Sequence, residues 1–347
     1  RLVGDDWAWR LMVEEPIGHG ISAAVSDDLS RGVVATDALI GTFARLDDES
    51  LRQNVCFLYH VFRDWDVPIG GMGAVTDALV AVAERSGVEI VCGADVFSAL
   101  PDGEVRYRLA DDEFVAHGRF VLAGVTPTVL ASLLSCDPPP SAPGSQVKVN
   151  LMLRRLPRLR DPAVTAEQAF GGTFHVNETY SQFSAAYAQA ASGEVPNPLP
   201  CEIYCHSLTD PSILSPALRA SGAQTLTVFG LHTPHGLGDR ESLTSAVIAS
   251  LNSVLAEPIQ EVLVPGCIET KTTGDLEQTL GMTAGNIFHG GLAWPFAEDD
   301  EPLDTPARRW GVATEHERIL LCGAGARRGG GVSGIGGHNA AMAVLAS

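Results

Sequence analysis

The stretch LCGAGARRGGGVSGIGG at residues 321–337 decides the fold class of this chain. The apolar residues 319–322 predict a short buried strand that runs into it, and an Ala-rich segment from Asn339 predicts a helix after it. Glycine is needed where a ligand approaches the backbone too closely for a Cβ, and a helix N-terminus presents free N–H groups to that ligand. Because apolar Val332 and Ile335 are interleaved with the glycines, we favour a cofactor-contacting loop over a bare linker.

This loop also contains the spacing G-x-G-x-x-G at residues 329–334, but it does not predict a Rossmann fingerprint. Only thirteen residues follow that spacing, which leaves no room for a second strand and its acidic residue. No Gly-Lys-Ser/Thr follows either, so a Walker A loop is excluded. Upstream, neither Gly71-Met72-Gly73 nor the glycines at 18 and 20 complete the fingerprint. The sequence therefore carries one half of a dinucleotide site.

The sequence pattern of residues 67–135 predicts strands and helices in alternation. It predicts an amphipathic helix that ends at Gly87, a strand at 88–91, a small β-meander, a strand at 120–123 and a helix at 128–134. The buried face of the first helix is predicted to comprise Val75, Ala78, Leu79, Val82 and Ala83.

Four prolines between residues 136 and 145 indicate a domain crossing, and strand texture returns near the C-terminus. We therefore predict an α/β fold with mixed α+β character. Residues 67–135 and 306–347 would form one discontinuous domain, and residues 1–66 and 136–305 a second domain with mixed sheet and helices.

Composition excludes several classes of function. The 347 residues include 23 Lys+Arg and 42 Asp+Glu, a net charge of −19 that repels nucleic acid and anionic lipid. Seven widely spaced cysteines favour reduced thiols and a cytoplasmic location. No apolar run is long enough for a transmembrane segment, and no signal peptide is visible. The sequence begins with Arg1, which leads us to expect a truncated chain.

These segments resemble the phytoene desaturase-like (phytoene dehydrogenase-related) branch of the flavin amine oxidase superfamily. The resemblance rests on Pro68-Ile69-Gly70-Gly71-Met72-Gly73 before a helix, residues 87–90, Val96, and the run from Gly323 to Ile335. It extends more loosely through most of the chain. It implies that 67–135 and 306–347 form a discontinuous FAD-binding domain of the amine oxidase type, which lacks its N-terminal βαβ unit, and that the rest is a substrate domain.

The resemblance also implies which residues contact FAD. Gly70 and Gly71 would pass near the flavin, and the backbone of Val96 would contact the adenine end. The glycine-rich loop would lie against the isoalloxazine ring, and the small residue at 325 agrees with the desaturase branch. The FAD contacts predicted in this loop are Gly323, Ala324, Gly325, Gly331, Val332, Ser333, Gly334 and Ile335.

Lys148 is the single candidate catalytic residue. It lies between Val147 and Val149 in an alternating strand, so its side chain is predicted to face away from theirs. The resemblance places a lysine here near flavin N5, where it would orient water or stabilise the reduced ring. The alternative interpretation is the solvent face of an edge strand.

Two clusters of cysteine and histidine residues are candidate metal sites. Cys201-x-x-x-Cys205-His206 is too widely spaced for a zinc knuckle, and Pro234 interrupts the pair at residues 232 and 235. No metal site is therefore predicted. Three aromatic residues at helical spacing are interpreted as core, although the family uses this region to line its substrate cavity: Tyr180, Phe183 and Tyr187.

The expected function is an FAD-dependent oxidoreductase that moves a hydride from a C–H bond of an apolar small molecule to the flavin, in desaturation or isomerisation. Two alternatives stay open at this point. One is a catalytically inactive flavin-fold binding or interaction module. The other is an amine oxidase, which Lys148 favours. The sequence does not determine the substrate, the electron acceptor or whether the protein forms a homo-oligomer.

Overall fold

A computed structural model describes residues 4–61, 66–327, 329 and 333–347 of the chain. The chain divides into two compact units, each built from two segments. The first unit comprises Arg1–Val88 and Ser145–Gly274, and the second comprises Glu89–Gly144 and Asp275–Ser347. These bounds differ from those of the predicted domains, because residues 67–88 fall in the first unit and residues 136–144 and 275–305 in the second. The assignment of an FAD-binding and a substrate domain stays a prediction.

The α-helices follow one another along the chain as α1 (Asp6–Trp9), α2 (Ile17–Ala24), α3 (Asp28–Thr36), α4 (Arg52–Val61), α5 (Met72–Arg85), α6 (Pro127–Leu133), α7 (Ala166–Phe170), α8 (Tyr180–Ala191), α9 (His206–Thr209), α10 (Pro216–Ala220), α11 (Arg240–Asn252), α12 (Thr273–Leu280), α13 (Pro306–Arg309) and α14 (Ile335–Leu345). A π-helical turn spans Arg10–Glu14, and 3-10 turns span Pro211–Ile213, Ile259–Glu261 and Thr283–Gly285.

The strands are β1 (Ala94–Ala99), β2 (Glu104–Leu109), β3 (Asp112–His117), β4 (Val121–Ala123), β5 (Ser145–Leu153), β6 (Phe174–Val176), β7 (Cys201–Tyr204), β8 (Gln224–Pro234), β9 (Leu263–Lys271) and β10 (Ile319–Leu321). The prediction of a chain that mixes helices and strands is confirmed. The described helices include none that is both long and apolar enough to cross a membrane.

The first unit is built on a five-stranded sheet in the order β6-β7-β8-β5-β9, and neighbouring strands are antiparallel. Alternate residues of β5 are fully buried on one face of this sheet, where α11 packs against them. A single leucine or valine buried in this way contributes about 1.5–3 kcal/mol. The buried β5 residues are Val147, Val149, Leu151 and Leu153.

Helices of the N-terminal segment form a second core in the same unit. Ile17 and Ile21 of α2 pack with Leu39 and with Phe183 of α8. Leu231 of β8 joins this cluster and is fully buried. This core places α2, α3 and α8 beside one end of β8.

The second unit contains a three-stranded antiparallel meander, β1-β2-β3, and a parallel pair formed by β4 and β10. Fully buried Ile319 and Leu320 of β10 pack with α6 on one side and with α14 on the other. Thr126 caps α6 by accepting a hydrogen bond from the Val129 N–H at 3.2 Å. The meander, both short strands and the two helices were all predicted, with shifts of a few residues at their ends.

Helix α5 forms where the sequence predicts it, but its apolar face is not buried. Val75, Leu79 and Val82 are 36%, 66% and 53% exposed, Ala78 is exposed and Ala83 half-buried. Periodicity shows that a helix has an apolar face, whereas burial depends on what packs against that face. One further prediction is wrong, because residues 88–91 form no strand.

Candidate functional site

One face of the five-stranded sheet carries a continuous row of polar and aromatic side chains. His175 pairs with Glu202, Glu202 with Phe229, Phe229 with Lys148, and Lys148 with Lys271. Because paired residues of neighbouring strands project to the same side, all five side chains share one face. The strand alternation of β5 puts this row opposite the buried core, as the sequence predicts for Lys148.

Lys148 lies on an interior strand, between β8 and β9, so the alternative of an edge strand is wrong. Its side chain is half-buried, and its Nζ lies 5.6 Å from the centroid of the Phe229 ring. Burial lowers the pKa of His206, and the positive charge of Lys148 lowers it further. The structure therefore gives Lys148 an aromatic support and a neutral imidazole neighbour. Its contact with a flavin stays a prediction.

Buried acids occupy the other end of the row. Glu202 is 4% exposed and accepts a hydrogen bond from the Tyr204 hydroxyl. Burial raises the pKa of Glu202 to about 7. Beside it, Glu178 is 2% exposed, and its Oε2 accepts a hydrogen bond from Thr36 Oγ1 at 2.6 Å and lies 2.5 Å from His175 Nδ1.

The contact with Glu178 favours the protonated form of the His175 imidazole in this buried cluster. Burial alone would lower the pKa of His175, but the hydrogen bond and charge of Glu178 outweigh it and the net shift is upward. Burial also raises the pKa of Asp37, which lies at the end of α3. Glu202, with its pKa of about 7, can therefore hold or release a proton near neutral pH at the end of the row that is remote from Lys148.

A groove of ≈ 450 Å³ runs along the same face, next to Lys148. Three of its polar side chains are paired with one another: Thr227 Oγ1 donates to Asn150 Oδ1 at 3.0 Å, and Asn150 Nδ2 donates to Glu269 at 3.1 Å. The remaining surface is largely apolar, which suits an apolar ligand held by few polar contacts. The other groove residues that bear on this point are Met152, His206, Ile213 and Ile268.

The predicted flavin contacts Gly70 and Gly71 lie at the edge of this groove. Their φ angles are +88° and +77°, which other residues rarely adopt. The Gly70 N–H donates to Asp210 Oδ2 at 2.7 Å, and a Cβ on Gly71 would lie 3.5 Å from Ile213 of the groove wall. Asp210 thus anchors the turn that leads into α5.

In the second unit, close packing requires glycine at several positions after β10. A Cβ on Gly323 would lie 2.6 Å from the Gly124 carbonyl oxygen, and one on Gly325 would lie 2.6 Å from Pro127 Cδ. A Cβ on Gly336, in the first turn of α14, would lie 2.4 Å from the Gly323 oxygen. Close approach of backbone to backbone thus explains these positions without a ligand. Ala324 follows in the same half-buried turn.

Gly334 differs from the other glycines of this loop. It adopts φ +70° and precedes the first residue of α14, and a Cβ placed on it would meet no atom of the described residues within 4 Å. Ser333 Oγ accepts a hydrogen bond from the Ile335 N–H at 3.3 Å, and Ile335 is 38% exposed. Among the residues that the structure describes, none therefore covers the start of α14. Predicted contacts Gly331 and Val332 lie outside the described residues.

Val96, the predicted adenine contact, lies on β1 of the second unit. It is 40% exposed, pairs with Tyr107 and is followed by a bulge before Ser98. The predicted site residues thus divide between the units. The first unit brings Gly70 and Gly71 to the groove beside Lys148, and the second brings Gly323 to Gly325 and Ser333 to Ile335 to the end of β10.

Cys201 and Cys205, from the cluster considered as a metal site, are both buried in the core that packs against α11. In the described parts of the chain, no group of three His, Cys, Asp or Glu side chains is placed to hold a metal ion. The functional candidates that sequence reasoning missed are acids. Glu202 carried a usable signal, because a charged residue here lies between apolar Cys201 and Ile203 in the sequence.

No protein-family model matches this sequence. The chain is 68% identical over 356 residues to uncharacterised proteins of Mycobacterium tuberculosis and Mycobacterium bovis, which covers 98% of this chain and 66% of theirs. It is also related, at 26% identity over 366 residues, to mouse pyridine nucleotide-disulfide oxidoreductase domain-containing protein 2, with 95% of this chain and 60% of that protein covered. This chain thus spans about two thirds or less of these relatives.

Among solved structures, the crystal structure of FqzB aligns with 77% of this chain and 49% of its own, at 15% identity and a TM-score of 0.34. A TM-score this low does not establish a common fold. This chain is a distant relative of a protein that is named for a pyridine nucleotide-disulfide oxidoreductase domain.

Proposed function

We propose that this chain forms the substrate domain and part of the FAD-binding domain of an FAD-dependent oxidoreductase of the phytoene dehydrogenase-related type. The observation that carries the proposal is the arrangement of β4, β10 and α14. Two parallel strands end at the same edge, and β10 leads through a glycine turn into the open N-terminus of α14. Nucleotide cofactors bind at this edge in open α/β sheets, where helix N–H groups face the ligand.

The residues present fit FAD. Gly334 leaves open space at the start of an eleven-residue helix, where an N–H group and the helix dipole can meet a polar or anionic part of the cofactor. Ser333 and Ile335 border that space. The oxidoreductase domain named in the mouse relative supports the same class of cofactor chemistry. In this proposal residues 67–135 and 306–347 belong to the FAD-binding domain, and residues 1–66 and 136–305 to the substrate domain.

FAD, when bound, would supply a hydride acceptor for a substrate C–H bond. Lys148 would place its ammonium near the reduced cofactor, where positive charge stabilises the negative charge that reduction adds. Phe229 would hold that ammonium by a cation–π contact, and the Gly70–Gly71 turn, anchored by Asp210, would border the site. Hydride transfer of this kind needs no strong protein base, which agrees with the sparse set of reactive groups beside Lys148.

The substrate would be an apolar small molecule in the groove beside Lys148. Met152, Ile213 and Ile268 offer apolar contact, and the amide of Asn150 is already engaged by Thr227 and Glu269. An apolar wall also excludes water from the reacting carbon. Desaturation or isomerisation of a hydrocarbon chain or ring is the reaction class that this surface suits best.

The test is FAD affinity of the full-length protein with single glycine substitutions. Gly334→Val should weaken FAD binding at least tenfold, since it puts a branched side chain into the open space and into a left-handed backbone. Gly222→Val is the matched control. It has a similar φ of +78° and open surroundings on the first unit, and should bind FAD like the wild type. Equal affinity of both variants would contradict the proposal.

A further inference from the structure

A second cavity, of ≈ 340 Å³, lies in the first unit and shares no lining residue with the groove beside Lys148. It is formed by α2, α8 and the end of β8. Gly18 of α2 is essential to its shape, because a Cβ there would lie 2.6 Å from the Tyr180 hydroxyl oxygen. The side chains that matter for its chemistry are His19, Tyr180, Phe183, Ser184, Tyr187 and His232.

His232 is the unusual member of this set. It is 1% exposed, and its Nδ1 has no hydrogen-bond partner in the described chain. Its ring meets those of Phe43, Phe183 and Tyr187 edge-on, with centroids 5.7–5.9 Å apart. Its φ is +54°, a left-handed conformation that is uncommon for residues other than glycine. Strained backbone and an unpaired buried polar atom occur together where a side chain is held for a ligand.

The electrostatics of the cavity favour an uncharged ligand. Burial lowers the pKa of His232 to about 3, so the imidazole is neutral at physiological pH and offers one donor and one acceptor. Arg45 and Asp47, which also line the cavity, neutralise each other through two hydrogen bonds of 2.8 and 3.0 Å. Neither a cation nor an anion therefore finds an unpaired counter-charge in these residues.

We propose that this cavity binds a small, uncharged aromatic molecule with one hydrogen-bonding group, of the phenol or indole class. Phe183 and Tyr187 provide ring surfaces for stacking or edge contact. The neutral His232 imidazole pairs with the hydroxyl or N–H group of the ligand. A cavity of this volume lies at the small end of the range for ligand pockets, about 300–1,000 Å³, which suits a molecule of one or two rings. The inference does not depend on FAD binding.

The experiment compares p-cresol with toluene, which differ by one hydroxyl group, as probes in calorimetric titrations of the purified full chain. The wild type should bind p-cresol at least tenfold more tightly than toluene. His232→Phe keeps an aromatic ring but removes the hydrogen bond, and should reduce this preference to within twofold. His232→Gly, which adopts positive φ readily and has no hydrogen-bonding side chain, replaces it if the phenylalanine variant does not fold.

Ser184→Trp should fill the cavity and abolish binding of both probes. Ala185→Trp is the matched control, since residue 185 is exposed on the same helix and does not line the cavity, and it should bind p-cresol like the wild type. Three results would overturn the inference: no saturable p-cresol binding to the wild type, an unchanged preference in the folded His232 variants, or equal p-cresol binding by the two tryptophan variants.

Discussion

Lys148 and Phe229 face each other across β5 and β8, and the Lys148 Nζ lies 5.6 Å from the centroid of the Phe229 ring. A contact of this kind contributes about 0.5–1 kcal/mol when exposed and about 2 kcal/mol when desolvated. Glu202 lies on the other side of Phe229 in the same row. The Phe229 ring therefore lies between Lys148 and the buried acid Glu202 in this row.

We expect Lys148→Met to lower the reduction potential of bound flavin. Removing the ammonium takes away a favourable interaction of about 1–2 kcal/mol with the negative reduced cofactor, which corresponds to roughly 20–45 mV for a two-electron couple. Dye-equilibrium titration of the full-length protein measures this. Lys271→Met is the control, because Lys271 pairs with Lys148 across the strands but forms an ion pair with Glu269 at 3.1 Å. Equal shifts in both variants would speak against a specific role for Lys148.

The Asp210 carboxylate should control the mobility of the Gly70–Gly71 turn. Asp210→Asn places an amide where Oδ2 accepts from the Gly70 N–H at 2.7 Å. Hydrogen exchange of the Gly70 amide, followed by mass spectrometry, should accelerate about tenfold, because one charge-assisted hydrogen bond is lost. Asp161→Asn removes a comparable turn contact, to the Ala163 N–H at 2.9 Å, and should leave Gly70 unaffected. Unchanged exchange in Asp210→Asn would show that other contacts hold the turn.

Glu202 should make the protein less stable as the pH rises from about 4.5 to about 7. Its pKa is raised to about 7 in the folded state, from 4.5. Over this interval the folded state keeps a proton that the unfolded state has lost. The contribution of Glu202 to the free energy of unfolding is therefore complete below about pH 4.5, and it falls by up to about 3 kcal/mol as the pH rises to about 7. The raised pKa of His175 acts in the same direction, since its contribution is also lost as the pH rises.

Urea unfolding of Glu202→Gln at pH 5 and pH 8 checks this, because glutamine keeps an acceptor for the Tyr204 hydroxyl but has no charge to bury. The difference in unfolding free energy between the two pH values should be clearly smaller than in the wild type. Glu49→Gln, at an exposed position, should behave like the wild type. If Glu202→Gln kept the full pH dependence, the burial argument would be wrong.

Glu257 should stabilise the connection between the end of α11 and the loop after β5. It accepts hydrogen bonds from Arg155 Nη1 and Nη2 at 2.7 and 2.9 Å and from the Arg158 N–H at 3.0 Å. These contacts lower the pKa of Glu257 to about 2. Glu257→Gln should therefore lower the unfolding free energy at pH 7 by about 1–3 kcal/mol. Thermal unfolding measures the loss, and no loss would mean that solvent screening cancels these bonds.

Local sequence patterns predicted much of this fold. Alternation placed Lys148 opposite Val147 and Val149, and glycine and proline signals located α5, α6 and the meander. The row from His175 to Lys271 could not be predicted from local sequence, because it depends on the register of five strands that are distant in sequence. The exposed face of α5 was mispredicted because periodicity does not say what packs against a helix. Gly325 shows a third limit: packing against Pro127 requires glycine at this position whether or not a ligand contacts it.

The buried acids illustrate why the candidate site was predicted only in part. Nothing in the local sequence brings Thr36, Glu178 and His175 together, since one comes from α3 and the others from the segment around β6. Likewise, the anchor from Asp210 to Gly70 joins residues 140 positions apart. Motifs found by resemblance concern the cofactor, whereas the groups that would set charge and protonation around the substrate are assembled by tertiary structure.

The flavin content of the purified full-length protein tests the central claim most directly. We predict one FAD per chain, measured as flavin released on denaturation relative to protein. A protein that purifies without flavin should take up one equivalent on titration, with quenching of the flavin fluorescence. A full-length protein that contains no flavin and takes up none at saturating concentration would contradict the proposed function.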